Sequence, residues 1–380
     1  MDHGAFLPGP RVHLAPTGSG PLDGLTFAVK DLIDTAGHVT GGGNPDWAAA
    51  AVPASRSATV VESLLAAGAC MTGKTVTDEL AFSLEGVNAH YGTPVNPADP
   101  ELLPGGSSSG SAVAVGAGET DFAIGTDTGG SVRVPAAFCG IHAFRPTHGA
   151  VPLDGVLPFA PSYDTVGWFA PSADLLRRVS GVLLPSTQAP PISRFCLAID
   201  AFELADREVS RELIEWAKSW GPVEDVMVFE GQGHDWLEAY RVLQGHEIHR
   251  SLGPRIADLK PKFAVAIAQR FEDASRIGAV EVSQWRSFRK RVRAFLAKLL
   301  PSGTALLLPT APITALPRTV SDEQTGDFYR RALTLCSIAG HGGLPQRHIP
   351  FRSAGGSPVG LSLIGAPNSD LALLAAEPGQ

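Results

Sequence analysis

The chain lacks the features that mark several large protein classes. Its four cysteines, Cys70, Cys139, Cys196 and Cys336, are scattered without a Cys-x-x-Cys pair, so neither a zinc site nor a disulfide framework is expected. No uninterrupted apolar run approaches the roughly 20 residues that a membrane-spanning helix needs. The net charge is −8 and no basic stripe is present, which argues against nucleic-acid binding.

The first residues lack a basic stretch followed by an apolar one, so no secretory signal is expected. Together with the unpaired cysteines, this predicts a cytoplasmic protein that does not enter a membrane. The densest basic cluster lies in a helical pattern, where a solvated helix face is the simpler interpretation. Its members are Arg286, Arg289, Lys290, Arg291 and Arg293.

Three common catalytic motifs are also missing. The glycine-rich runs contain neither the Gly-Lys-Ser/Thr of a phosphate-binding loop nor the Gly-x-Ser-x-Gly elbow of α/β-hydrolases. Residues 246–249 read His-Glu-Ile-His, which is not the His-Glu-x-x-His zinc motif. No histidine stands at a spacing that pairs it with a serine. A serine activated by a lysine remains as the candidate nucleophile.

Two runs combine glycine and hydroxyl residues at a density that no packed core needs. They are residues 104–111 and 126–131, separated by the apolar segment 112–118. Glycine lets the backbone approach a ligand closely, and serine supplies nucleophiles and proton relays. With 380 residues, 44% of them hydrophobic, the chain can bury a large core around such a centre.

Short apolar strands alternate with helical patterns, which predicts an α/β fold with a twisted mixed sheet covered by helices on both sides. Strands are predicted at residues 25–29, 70–74, 121–125, 305–310 and 359–365. Helices are predicted at residues 57–68, 108–118, 174–184, 210–220, 236–250, 262–278 and 282–300. Val134-Pro135 is predicted to break the chain after the second glycine run. Lys30 directly follows the first strand, which favours a partly buried lysine at least as much as a surface one.

Four motifs together resemble the amidase signature family. They are Phe-Ala-Val-Lys-Asp (27–31), Gly-Gly-Ser-Ser-Ser-Gly-Ser (105–111), Gly-Thr-Asp-Thr-Gly-Gly-Ser-Val-Arg-Val-Pro (125–135) and Cys-Gly-Ile-His-Ala-Phe-Arg-Pro-Thr-His-Gly (139–149). The resemblance is strong over residues 21–170 and weaker over 305–365. It implies the amidase-signature fold in a single domain of residues 1–380. In that domain, 21–170 and 305–365 form the sheet and catalytic core, and 171–300 form a mostly helical lobe.

Within the family, residues 43–47, 88–94 and 164–170 look most like the plant indole-3-acetamide amidohydrolases. The resemblance therefore implies hydrolysis of a small primary amide, with an arylacetamide such as indole-3-acetamide as the leading substrate. Two alternatives stay open. The related chloroplast-envelope receptor suggests a binding domain without activity, and the family also contains the amidase subunit of tRNA-dependent amidotransferases. No cofactor or metal is expected, and a homodimer is a candidate assembly.

The family's catalytic triad carries over onto Lys30, Ser107 and Ser131. By this resemblance, Ser131 is the nucleophile that forms an acyl-enzyme, and Ser107 relays the proton between Ser131 and Lys30. The family has a cis peptide before the relay serine, here Gly106–Ser107. Lys30 must be neutral to act as a base, so burial must lower its pKa.

The resemblance also implies an oxyanion hole made of backbone N–H groups, those of Thr128, Gly129, Gly130 and Ser131. Asp127 and Arg133 are interpreted as an ion pair that braces this loop. Ser108, Ser109 and Ser111 are interpreted as polar residues at a helix N-terminus, and Cys139 as a packing residue.

Candidate lining for the substrate pocket is Phe82, Leu84, Trp168 and Phe169, which could equally belong to the core. The family pattern is broken at Ala143, where glycine is commoner. It is also broken after Leu344-Pro345, where residues 346–348 read Gln-Arg-His and are more polar than usual.

Overall fold

The structure, a computed structural model, describes residues 2–186 and 189–377. Its centre is a ten-stranded mixed sheet with the strand order β2-β1-β3-β5-β4-β9-β10-β8-β6-β7. The strands are β1 (Thr26–Lys30), β2 (Cys70–Thr75), β3 (Phe122–Asp127), β4 (His142–Arg145), β5 (Thr165–Ala170), β6 (Arg194–Ala198), β7 (Val223–Val226), β8 (Thr304–Pro309), β9 (Gln346–Arg352) and β10 (Pro358–Gly365). The predicted mixed sheet is confirmed, because β1 pairs in parallel with β2 and β3, whereas β3 pairs antiparallel with β5.

Helices cover both faces of this sheet. They are α1 (Pro45–Ala49), α2 (Thr59–Ala66), α3 (Ser109–Gly116), α4 (Arg133–Cys139), α5 (Ala173–Leu183), α6 (Ile199–Phe202), α7 (Arg207–Lys218), α8 (Gly233–Leu259), α9 (Val265–Ser275), α10 (Ala279–Leu299), α11 (Asp322–Gly342) and α12 (Asp370–Ala375). Side chains alternate between the two layers, as strand geometry requires. Phe27 and Val29 pack in the cluster that contains α2, α5 and α7, whereas Ala28 packs toward α3 and α4.

Small residues bring α3 and α4 close to the sheet. Ala28, Ala123 and Ala143 face Val113 of α3 and Ala136 of α4, so little side-chain volume separates the helices from the strands. Because β1 and β3 run in parallel, their carboxyl ends meet at one edge of the sheet. The loops that precede α3 and α4 end at that same edge. The two glycine runs are therefore placed against the end of β1.

Segment 171–300, predicted as a mostly helical lobe, also supplies β6 and β7. The sheet is therefore not confined to residues 21–170 and 305–365. β6 is a five-residue strand after a proline-rich stretch, and β7 is an edge strand that carries Glu224 and Asp225, so neither gives a strong apolar signal. The single-domain organisation stays a prediction.

Other local predictions were wrong for identifiable reasons. Pro135 does not break the chain but lies in the first turn of α4, where its missing N–H costs no helical hydrogen bond. Arg289 is not on a solvated face: it is 8% exposed and donates to Ser162 Oγ at 2.6 Å and to Ser162 O at 2.7 Å. Cys139 is buried beside α3, as predicted.

Candidate active site

Lys30, the last residue of β1, is fully buried and contacts two hydroxyl groups. Its Nζ donates to Ser107 Oγ at 2.7 Å and to Thr126 Oγ1 at 2.9 Å. Thr126 reaches Lys30 because β3 runs parallel to β1 and both strands end at the same edge. No role for Thr126 was predicted from the sequence, although Thr126 lies in the second glycine run.

Burial lowers the pKa of Lys30 from 10.5 to about 7, against the opposing effect of the carboxylates of Asp78, Asp127 and Asp164. The cause is the loss of hydration, which an ammonium group suffers and a neutral amine largely avoids. A substantial share of Lys30 is therefore neutral near pH 7. A neutral amine next to a serine hydroxyl can accept its proton.

Ser107 lies two residues before the start of α3 and is held by the buried Asp78. The peptide Gly106–Ser107 is cis, as the family resemblance implied. Asp78 N–H donates to the Ser107 carbonyl at 3.2 Å, and the Asp78 carboxylate accepts from Ser83 Oγ and, at 3.0 Å, from Gly86 N–H. Burial is the main cause that raises the pKa of Asp78 to about 6. Asp78 thus ties the loop of Ser107 to the neighbouring loop.

Ser131 lies before α4 and is 5% exposed. Its carbonyl accepts the N–H of Ser108 at 3.1 Å, so a backbone hydrogen bond joins the two glycine runs directly beside Ser107. Ser108 does not cap α3 with its side chain. Its Oγ donates to the Thr126 carbonyl at 3.2 Å instead. The two glycine runs therefore lie side by side. The first carries Ser107, and the second carries Thr126 and Ser131.

The carboxylate of Asp127 organises the loop that contains Ser131. It accepts the N–H of Gly130 at 3.0 Å and the N–H of Val132 at 3.1 Å. Arg133 and Arg145 lie 2.7 Å and 2.8 Å from Asp127 Oδ1. Burial acts to raise the pKa of Asp127, but the two guanidinium groups hold it well below its usual range. The predicted ion pair with Arg133 is confirmed, and Arg145 is an additional partner.

This arrangement narrows the choice of oxyanion donors. The N–H of Gly130 already donates to Asp127. The N–H groups of Thr128, Gly129 and Ser131 make no hydrogen bond with another residue of the described chain. Three of the four predicted donors are therefore available to a bound anion, and the fourth fixes the shape of the loop.

Two glycines in this loop are required by their surroundings. A Cβ at Gly129 would lie 2.1 Å from the hydroxyl of Tyr240. Gly130 has φ +122°, which L side chains rarely adopt, and a Cβ there would lie 2.7 Å from Cys336 Sγ. The loop can follow this path only without side chains at these positions.

Asp164 also holds the loop at residues 128–131, through Thr128. Its carboxylate accepts from Thr128 Oγ1 at 2.6 Å and from the N–H groups of Phe159 and Ala160 at 2.9 Å and 3.0 Å. In the sequence, residues 164–170 indicated only a family resemblance. Asp164 links the loop at residues 128–131 to the wall of the adjoining cavity, which includes Phe159.

A cavity of about 210 Å³ opens onto Thr128, Gly129 and Ser131. Most of its remaining lining is aromatic or aliphatic: Ala81, Phe82, Leu84, Phe159, Tyr240, Ala274, Ile277, Tyr329 and Leu333. Phe82 packs edge-to-face against Phe159 with ring centroids 5.2 Å apart. Such a wall offers a non-polar surface for a flat, uncharged group.

The charged residues of the cavity wall are each paired with an opposite charge. Arg241 lies 2.6 Å from Glu238, and Arg270 lies 3.4 Å from Glu85. Asp273 lies 3.4 Å from Arg276. The cavity therefore presents little net charge to a substrate.

Two of the four predicted lining residues were placed correctly. Phe82 and Leu84 line the cavity. Trp168 and Phe169 belong to the central strand β5 and are fully buried in the sheet core, so the prediction was wrong for both. Nothing in a run of apolar residues distinguishes a pocket wall from a core strand.

Residues 2–186 and 189–377 contain neither a membrane-spanning helix nor a cluster of metal ligands. None of their helices is both long and apolar enough to cross a bilayer. No group of three or more His, Cys, Asp or Glu side chains among them could hold a metal ion.

Comparisons with known proteins agree with this geometry. The Amidase family profile matches residues 13–206. Amidase 1 of Arabidopsis thaliana is 41% identical over 410 aligned positions, which cover 98% of this chain and 96% of that protein. The protein named translocon at the outer membrane of chloroplasts 64, from Pisum sativum, is 35% identical over 98% of this chain and 69% of its own length.

A solved amidase crystal structure superposes with a TM-score of 0.83 at 30% sequence identity, covering 94% of this chain and 83% of that one. The fold, the order of the motifs and the sequence identity over nearly the whole length thus all indicate the same family. The chain belongs to the amidase family and is an amide hydrolase.

Proposed function

We propose that this enzyme hydrolyses small primary amides with an uncharged arylalkyl acyl group, such as indole-3-acetamide, to the carboxylic acid and ammonia. The observation that carries the proposal is the aromatic cavity that opens onto Ser131 and the Thr128–Gly129 backbone. Because its wall charges are paired, transfer of an uncharged aryl group into it is favoured over transfer of a charged one. The name of the Arabidopsis thaliana relative, Amidase 1, fits amide hydrolysis.

In the proposed first half-reaction, Ser131 Oγ attacks the amide carbonyl carbon. Its proton passes to Ser107 Oγ, whose own proton passes to the neutral amine of Lys30. A C–O bond forms and the carbonyl electron pair moves onto oxygen. When the intermediate collapses, the C–N bond breaks and the nitrogen takes the proton back through Ser107. Ammonia leaves and the acyl group stays on Ser131.

Water then attacks the acyl-enzyme in the second half-reaction. Lys30 and Ser107 again take up a proton, now from water, and return it to Ser131 Oγ as the ester bond breaks. The carboxylic acid is released and the enzyme regains its starting state. Support comes from the 2.7 Å contact between Lys30 and Ser107 and from the pKa of Lys30 of about 7.

In both half-reactions the N–H groups of Thr128, Gly129 and Ser131 are proposed to stabilise the oxyanion. Loss of one such donor in other hydrolases costs roughly 3 kcal/mol of transition-state stabilisation. The N–H of Gly130 is proposed to act indirectly, because its bond to Asp127 fixes the loop.

The test is ammonia release from indole-3-acetamide, phenylacetamide, acetamide and glutamine by the purified chain, with Ser131→Ala as the matched control. We expect the two arylacetamides to be hydrolysed fastest, glutamine to be unreactive, and Ser131→Ala to lose at least about 10³-fold in kcat while keeping its thermal unfolding temperature. Activity retained by Ser131→Ala would refute the mechanism. A folded wild-type chain inactive on every amide would favour a binding domain, and release from glutamine alone would favour an amidotransferase subunit.

The cytoplasmic location and the homodimer stay predictions. A size-exclusion experiment with light scattering on the purified chain would decide the oligomeric state.

A further inference from the structure

The polar run at residues 346–348, which departs from the family pattern, enters the interior of the sheet. Gln346 and His348 are at most 1% exposed and lie on β9. Thr310, just after β8, and Ser362 of β10 are equally buried beside them. Four polar side chains thus lie inside the sheet, about 200 positions along the chain from the glycine runs.

These side chains form a continuous chain of hydrogen bonds. Gln346 Nε2 donates to Ser362 Oγ at 2.8 Å. Ser362 Oγ lies 2.7 Å from Thr310 Oγ1, and Thr310 Oγ1 lies 2.7 Å from His348 Nδ1. At its other end, Gln346 Oε1 accepts from Arg133 Nη1 at 2.7 Å.

Arg133 fixes the orientation of the Gln346 amide at one end of this chain. A guanidinium group can only donate, so the oxygen of Gln346 must face Arg133 and its nitrogen must face Ser362. The Ser362 hydroxyl is then free to donate to Thr310, and Thr310 to donate to His348 Nδ1. Burial lowers the pKa of His348 to about 3, so His348 is neutral near neutral pH, and its Nδ1 can accept from Thr310 in the tautomer protonated at Nε2.

Gln346 is one of the few groups that hold Arg133 in place. Arg133 is fully buried. Its Nε and Nη2 donate to Asp127, and Nη1 donates to the Cys336 carbonyl at 3.1 Å and to Gln346. Without Gln346, one N–H of a buried cation loses its acceptor, and only Asp127 and the Cys336 carbonyl still orient the guanidinium. Asp127 also accepts the N–H of Gly130. A tilt of Arg133 would therefore move the Asp127 carboxylate and, with it, the loop at residues 128–131.

We propose that Gln346 is a positioning residue for catalysis, which orients Arg133 and, through Asp127, sets the oxyanion donors of the loop at residues 128–131. This proposal rests on the proposed function, because it assumes that the loop stabilises an oxyanion. Gln346 touches neither substrate nor nucleophile. Its effect reaches the reaction through two buried contacts, each 2.7 Å long.

The experiment compares the wild type with Gln346→Met, Gln346→Glu and Thr310→Val. Met has nearly the shape of Gln but offers Arg133 no oxygen, whereas Glu keeps that acceptor. Thr310→Val removes a hydroxyl from the same buried chain but leaves both bonds of Gln346 intact, so it is the matched control. One sample of each protein is labelled to completion with a fluorophosphonate probe, which counts reactive Ser131. The kcat and KM for indole-3-acetamide are measured on a second, unlabelled sample and expressed per labelled site of the first.

We expect Gln346→Met to lose about tenfold or more in kcat with KM changed less than about twofold, since oxyanion stabilisation acts in the transition state. Gln346→Glu and Thr310→Val should keep kcat within about threefold. A general loss of folding would lower the labelled fraction and leave kcat per labelled site unchanged.

The proposal is overturned if Gln346→Met keeps its kcat per labelled site, or if Thr310→Val loses as much as Gln346→Met. If Gln346→Met does not fold, Gln346→Glu decides: a loss of tenfold or more in its kcat contradicts the role assigned to the acceptor oxygen. A wild-type enzyme that is neither labelled at Ser131 nor active would instead refute the proposed function, before any variant is compared.

Discussion

Lys30 Nζ lies 2.7 Å from Ser107 Oγ at a position where neither residue is exposed to solvent. The two residues are 77 positions apart in the sequence, and the sheet edge brings them together. Burial favours the neutral amine, whereas Asp78, Asp127 and Asp164 favour the ammonium ion. The balance places the pKa of Lys30 at about 7, close to neutral pH, where a general base works best.

Activity should depend on pH through Lys30. Because the neutral amine is the reactive form, kcat/KM for an uncharged amide should rise with pH and level off above about 7, the pKa of Lys30. The measurement is the pH profile of kcat/KM for phenylacetamide between pH 5 and pH 9. Asp78→Asn removes a negative charge that favours the ammonium form, so it should move the rise to lower pH. A profile that rises only above about pH 9 would contradict a buried neutral lysine.

Stability should also depend on pH through Lys30. Its pKa is about 7 in the folded state, compared with an ordinary value of 10.5 in an unfolded chain, so the unfolded state binds more protons between these values. The free energy of unfolding attributable to Lys30 therefore increases from pH 7 to pH 10.5, with a slope of at most about 1.4 kcal/mol per pH unit. Below pH 7 the destabilisation is fully present.

Lys30→Met should remove this contribution. The measurement is urea unfolding of both proteins at pH 6, 8 and 10. The free energy of unfolding of Lys30→Met should exceed that of the wild type by an amount that decreases as the pH increases. A constant difference between the two proteins across this range would show that Lys30 is already neutral, or still charged, throughout.

Asp127→Asn should strongly destabilise the fold. It leaves the buried Arg133 and Arg145 without their carboxylate partner, and breaking a buried charge pair costs about 3–5 kcal/mol. Chemical denaturation measures the change. Glu62→Gln, which breaks the exposed pair with Arg56, is the control and should leave the unfolding free energy near that of the wild type. Equal effects of the two substitutions would contradict the role assigned to Asp127.

Substrate size should be limited by the cavity wall at Leu333. Leu333 of α11 lines the cavity and is only partly buried, so Leu333→Trp can fill the space that an aryl group would occupy. We expect kcat/KM for indole-3-acetamide to fall by about tenfold or more, because an acyl group that no longer fits loses its burial energy. The value for acetamide should change by less than about threefold. An equal loss for both amides would mean that the aryl group does not bind in this cavity.

The sequence predicted the parts of the fold that have a strong local signal. β1, β2, β3, β8 and β10 are short apolar runs, and each was predicted within two residues of its ends. α8 was predicted at 236–250 but extends over Gly233–Leu259. α11 was missed, since Gly326 and Gly340 weaken the helical pattern. β9 was missed because its polar residues acquire partners only inside the sheet.

For the candidate site, the local sequence was enough to predict which reactive side chains are present and which loops carry them. The glycine and serine runs, together with a lysine at the end of an apolar strand, were sufficient to indicate a serine–lysine centre and, through family resemblance, its three residues. Local sequence contained no signal for Thr126, Asp78 or Asp164 as partners, because their roles depend on contacts with distant segments.

The amino-acid sequence by itself determined which groups can react: a strand that ends in Lys30, and two loops whose glycines allow backbone N–H groups to face a ligand. Tertiary structure alone decided the protonation state of Lys30 and which backbone N–H groups of the second loop are left to face a ligand. Complete burial lowers the pKa of Lys30, and the carboxylate of Asp127 takes the N–H of Gly130. Tertiary structure also brings Gln346 into hydrogen-bond contact with Arg133, which lies 213 positions earlier in the chain. Hydration and long-range hydrogen bonding are properties of the packed molecule, so no local pattern could have specified them.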